Sequence, residues 1–132
     1  MLTRCFFSLL MSFFLFEAQA SSEKVSRYTI RGKVRKIISF DDQDLMISEG
    51  CARRAKKKVT FKCMAFRALK RKPFKDLDLT GGKNPGAVIC RQINGQIVWG
   101  KDKLQNELTF CEFPDESYVS TGSIAAWLFR PE

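Results

Sequence analysis

The sequence predicts a small α+β protein: disulfide-tied, mostly an antiparallel β meander in its first half, with a short helix plus a β-hairpin in its second. Three observations carry this. Residues 28–40 alternate apolar and basic with a period of two, as a half-buried strand does. An Asn84-Pro85 helix start is followed by two apolar runs around a polar loop. Behind an export-type leader lie four cysteines, Cys51, Cys63, Cys90 and Cys111, an even number that suits two disulfides.

The leader is residues 1–20. Arg4 precedes the apolar run Phe6 to Phe16, and the stretch ends on Ala18-Gln19-Ala20. A cation, an apolar run too short to span a bilayer and small residues at both Ala-x-Ala positions read as a cleaved signal peptide. The expected product is a periplasmic or secreted protein with no transmembrane segment after cleavage. Residues 21–75 form a basic β-rich region, 76–83 a linker, and 84–132 a second small unit.

In the first region the even positions include Tyr28, Ile30, Val34, Ile38 and Phe40, and the odd ones Arg31, Lys33 and Arg35. This is a strand, or a pair of strands broken near Gly32, with a packed face and a cationic face. Asp41-Asp42-Gln43-Asp44 closes a turn. It lacks the further ligands and loop glycine of a calcium-binding EF-hand. Leu45 to Cys51 and Val59 to Phe66 are two further strands. As antiparallel neighbours they would let Cys51 and Cys63 staple a hairpin whose tip carries Arg53, Arg54, Lys56, Lys57 and Lys58, a closure contributing about 3 kcal/mol. Lys70, Arg71 and Lys72 follow, and Pro73 to Gly82 breaks any regular pattern.

In the second region Asn84 is a good N-cap and Pro85 fits the first helical position. The helix runs through Ile93, places Ile89, Ile93 and Cys90 together, and ends in a left-handed Asn94-Gly95 turn. Gln96 to Trp99 and Glu107 to Phe113 are strands around the loop Gly100 to Asn106. Pro114-Asp115 starts a turn, and Ser123 to Phe129 packs as a helical turn or two.

The charge is lopsided: residues 21–80 hold 17 lysines and arginines against 7 acids, residues 81–132 hold 5 against 6. A one-sided excess favours anionic partners, or else only keeps an exported protein solvated. The candidate anion-binding set is Arg53, Arg54, Lys56, Lys57, Lys58, Lys70, Arg71 and Lys72. Export and the lack of aromatic residues at the tip point away from nucleic acid and toward anionic envelope lipid or polymer, or a protein partner. The chain has no histidine. Long cysteine spacings without Cys-x-x-Cys argue against zinc, and nothing asks for a cofactor. Adjacent Asp115 and Glu116 point apart in a turn, Ser120 to Ser123 have no activating base, and oxidised cysteines are not nucleophiles, so the expected protein is non-catalytic. A peptidase inhibitor, presenting residues 101–105 or the basic tip, is the alternative.

Asn84-Pro85-Gly86-Ala87 leading to Cys90, the Asn94-Gly95 turn, and Cys111-Glu112-Phe113-Pro114-Asp115 followed by Ser117 resemble the small exported bacterial domain of unknown function 333, often labelled a haemolysin. The resemblance covers about residues 83–127. It implies export and a small disulfide-tied domain, with no established activity. Glu116 stands at the family's glycine, Val119 at its third cysteine, and no fourth cysteine follows. Joint loss of two late cysteines implies that these pair with each other, leaving Cys90 for Cys111 and Cys51 for Cys63. Trp127 lies further from Ser117 than in the family. Nothing in the residues resembles a pore, since neither a long amphipathic helix nor membrane-length alternating strands occur.

Overall fold

A computed structural model describes residues 22–71 and 77–130. The leader and Lys72 lie outside them. Six strands close an antiparallel barrel in the order β1 (Glu23–Ile30), β2 (Lys33–Phe40), β3 (Leu45–Ser48), β8 (Tyr118–Ser120), β7 (Glu107–Glu112) and β6 (Gln96–Lys101). Outside it lie a two-stranded hairpin, β4 (Ala52–Ala55) with β5 (Lys58–Phe61), and three helices, α1 (Met64–Leu69), α2 (Pro85–Gln92) and α3 (Thr121–Leu128). The meander expected of the first half is therefore one side of a barrel whose other side comes from the second half.

The wall is buried on both faces, which explains why its strands carry adjacent apolar residues instead of strict alternation. Ile30, Ile37, Val98, Phe110 and Tyr118 fill the barrel, with Tyr28, Met46 and Leu108 packed against them. The next residue along each strand, Ile38, Ile47, Cys111 or Val119, belongs to a second core under the helices, with Phe66, Leu69, Ile89, Ile93 and Ile124.

The turn between β1 and β2 corrects the alternation read from the sequence. Arg31 and Gly32 both take positive φ, 50° and 75°, as a two-residue hairpin turn needs. Ile30 then pairs with Lys33 and Tyr28 with Arg35, so facing residues change from even to odd parity across the turn. Val34, expected on the packed face, is 65% exposed beside Thr29, and Ile37 fills the barrel.

The strand expected over residues 59–66 is also corrected. It stops at Phe61, and α1 begins at Met64. Its Met-Ala-Phe-Arg-Ala-Leu sequence favours a helix and buries Ala65, Phe66, Ala68 and Leu69 on one face. The strand expected over 45–51 ends at Ser48, and β5 pairs with β4 instead. The disulfides join Cys51 to Cys63 and Cys90 to Cys111. The first closes the base of the β4–β5 hairpin, where the Lys62 N–H also donates to the Cys51 carbonyl at 2.8 Å.

α2 starts as the sequence indicates: the Asn84 side chain accepts from the Ala87 N–H, and Pro85 fills the first position. Asn94 ends it at φ 63°. Gly86 lets its first turn cross α3, since a Cβ there would lie 1.8 Å from the Thr121 carbonyl oxygen. α3 is capped by the Ser120 hydroxyl, and Trp127 donates its indole N–H to the Gln43 carbonyl at 3.0 Å, tying the acidic turn to the closing helix.

Candidate functional site

Interleaving the two halves redistributes the charge. Acids of the second half meet cations of the β1–β2 hairpin: Arg31 pairs with Glu112 at 3.2 Å and Arg35 with Glu116 at 3.1 Å. Lys36 approaches Glu49 at 4.0 Å. Arg35 also lies over the Tyr118 ring at 5.7 Å. Burial, and then a hydrogen bond to Glu112, holds the Tyr118 phenol above its ordinary pKa. Three of the six cations of the first hairpin, Arg31, Arg35 and Lys36, are thus paired, whereas Lys24, Arg27 and Lys33 have no carboxylate within ion-pairing distance among the described residues.

The β4–β5 hairpin is different. Arg53 turns back to donate to the Gly50 and Ala52 carbonyls, and Arg54 pairs with Glu23 at the start of β1. These two hold the base. Lys56, at φ 57°, and Lys57 form the two-residue turn, and Lys58 opens β5. All three are exposed, and none has a carboxylate within ion-pairing distance among the described residues. The tip is therefore Lys56 to Lys58, smaller than the five-cation tip expected.

α1 joins this surface through its aromatic face. Phe61 of β5 stacks on Phe66 of α1, with ring centroids 4.7 Å apart, and the Lys70 ammonium sits 4.8 Å from the Phe66 ring. The ring face attracts such an ammonium electrostatically and holds it at the surface. Arg71 lies on another side, where with Arg67 it lines a cleft of about 200 Å³ floored by Met64, Ile93 and Phe113. Arg67, one residue past the strand expected over 59–66, was not singled out in the sequence; its four-residue spacing from Arg71 is the signal that reveals it.

The Cys-x-Phe-Pro-Asp-x-Ser stretch positions α1. Asp115 accepts from the Met64 N–H at 2.8 Å, and the Ser117 hydroxyl accepts from the Ala65 N–H at 3.0 Å. Cys63 Sγ takes the Phe66 N–H. Three orphan donors of the first turn are satisfied in this way. Asp115 also accepts from Ser117 Oγ and N. Its partial burial raises the carboxyl pKa, but these hydrogen bonds outweigh that and hold it below the ordinary value. Glu116 points instead to Arg35, at φ 59°, a left-handed backbone conformation that favours glycine.

No family model, curated protein or solved structure matches this chain. Among the described residues no helix is long and apolar enough to cross a membrane, and no three acids or cysteines converge as metal ligands. What the arrangement can do chemically is present fixed cations. The four cysteines among the described residues are bonded in pairs, and the Asp115 carboxylate caps α1.

Proposed function

We propose that this chain is an exported, non-catalytic binding module whose stapled basic hairpin, with Lys70 at the C-terminal end of α1, contacts anionic envelope lipid or polymer in the periplasm or outside the cell. The observation that carries the reading is the contrast between the two hairpins. Arg31, Arg35 and Lys36 of the first are paired with Glu112, Glu116 and Glu49, whereas the consecutive Lys56, Lys57 and Lys58 all stand without an ion-pair partner among the described residues, on a hairpin outside the barrel. A disulfide at the base limits how far that hairpin can fold away, so its charges stay clustered. The export-type leader and two disulfides support the compartment.

This reading is preferred to a peptidase inhibitor acting through residues 101–105. The loop after β6 is a closed turn: Asp102 accepts from the Leu104 and Asn106 amides at 2.8 and 2.9 Å, and Gln105 reverses the backbone at φ 65°. An inhibitory loop must instead offer an extended segment. The test is co-sedimentation with vesicles of anionic or zwitterionic phospholipid and with a soluble polyanion, at low and high salt. Binding to the anionic partners that weakens with salt and is lost in the triple variant Lys56→Gln, Lys57→Gln, Lys58→Gln supports the proposal. Undiminished binding by that variant refutes it.

A further inference from the structure

The barrel is closed unevenly. β1 pairs with β2 along all eight of its residues but meets β6 only at Thr29↔Lys101 and Ile30↔Gly100. β6 runs out there because Asp102 turns into the next hairpin, donating its N–H to the Asn106 carbonyl at 3.0 Å. Among the described residues, Glu23 to Tyr28 therefore overhang with one edge bare. Lys24 to Tyr28 alone span about 17 Å of strand. A cleft of about 700 Å³ lies along this edge, between β1 and Asp102 to Leu104. Every second residue of such an edge turns its N–H and C=O toward the cleft, and among the described residues no backbone group fills it.

We propose that this edge binds an extended acidic peptide segment of another protein by strand addition, with acids alternating with apolar residues. The backbone would supply the ladder and the side chains the selection. On the outer face the incoming strand would lie beside Arg27, itself opposite Lys36 on β2. On the inner face it would meet Tyr28, whose ring packs edge-on against Phe110 at 5.1 Å between centroids. Lys24 and Lys103 add two more cations to the cleft. Its one carboxylate, Asp102, is already engaged by Leu104, Asn106 N and Asn106 Nδ2. Cations guarding an edge repel basic strands, and an acidic strand turns the same charges into attraction.

The test is hydrogen exchange by NMR on the oxidised protein with two blocked ten-residue peptides, one alternating valine with glutamate and one alternating valine with lysine. The glutamate peptide is expected to slow exchange at least ten-fold at bare-side amides within residues 24–28. The double variant Arg27→Glu, Lys103→Glu, altered only at exposed positions, should bind that peptide at least ten-fold more weakly and gain affinity for the lysine peptide. The proposal is overturned if neither peptide binds at millimolar concentration, or if the two bind equally. It is equally overturned if protection falls on residues 52–61 instead. Slow exchange at 24–28 without peptide also overturns it, since concentration dependence would then identify a second copy and its absence the chain's own covering segment.

Discussion

Replacing Gly95 with alanine probes how α2 is fastened to the barrel. Gly95 donates its N–H to the Cys90 carbonyl at 2.8 Å and lies against the disulfide. An added Cβ would sit 2.2 Å from Cys111 Sγ, 2.9 Å from Cys90 Sγ and 3.1 Å from the Cys90 carbonyl oxygen. Non-bonded heavy atoms of this kind rest at about 3.5–4.0 Å, so the bridge or the turn must shift by more than about 1 Å. Both cysteines are fully buried in the core with Ile89 and Ile93, which leaves nowhere open for that shift. Overpacking of this sort costs about 1–3 kcal/mol, and the depth of the overlap puts Gly95→Ala at the upper end, about 3 kcal/mol. Urea denaturation measures it. The same substitution in a Cys90→Ala, Cys111→Ala background should cost less than about 1 kcal/mol, because both sulfurs are gone and only the residue-90 carbonyl oxygen at 3.1 Å must give slightly, leaving a coupling of about 2 kcal/mol. Equal penalties in both backgrounds, or none in the first, would refute the reasoning.

Two further outcomes follow from the same contacts. Because the folded Asp115 carboxyl is held below its ordinary value, its stabilisation is complete above the unfolded carboxyl's pKa of about 4 and is lost as pH falls through the folded value. Thermal midpoints between pH 2 and 6 should therefore drop toward acid, and Asp115→Asn should flatten that drop; an unchanged slope would show that Asp115 contributes nothing. Mild reductant without denaturant should open Cys51–Cys63 before Cys90–Cys111, since Cys63 is only half-buried and both members of the second pair are fully buried. Mass mapping after alkylation reads the order, and simultaneous labelling of all four would contradict it. Loss of the first bridge removes about 3 kcal/mol by loop entropy.

What the sequence disclosed, and what it did not, divides by range. The start of α2 at Asn84-Pro85 and its end at Asn94 were legible because caps and turns are chosen within a few residues. α1 was misread because two of its caps come from Asp115 and Ser117, 51 and 52 residues away in the chain. Adjacent Val59, Thr60 and Phe61 also supplied a real strand to extrapolate from. Barrel closure was out of reach for a similar reason: β1 meets β6 at two residue pairs and β3 meets β8 at one, Ile47↔Val119. No pattern along a single strand encodes so thin a seam. At the candidate site, the run of lysines was plain in the sequence. Which cations remain unpaired was not, since Glu23, Glu112 and Glu116 find Arg54, Arg31 and Arg35 only in the folded chain.

The central claim is that unpaired lysines at a stapled tip make the contact with an anionic partner. Its most direct measurement is the dependence of binding to anionic vesicles on salt concentration, for the unaltered protein and for the variant carrying glutamine at positions 56, 57 and 58. Each cation that displaces a counter-ion contributes about one unit to the slope of log affinity against log salt. The expected slope is shallower by about two to three units in the variant, with affinity reduced at every salt concentration. Parallel lines of equal height would contradict it.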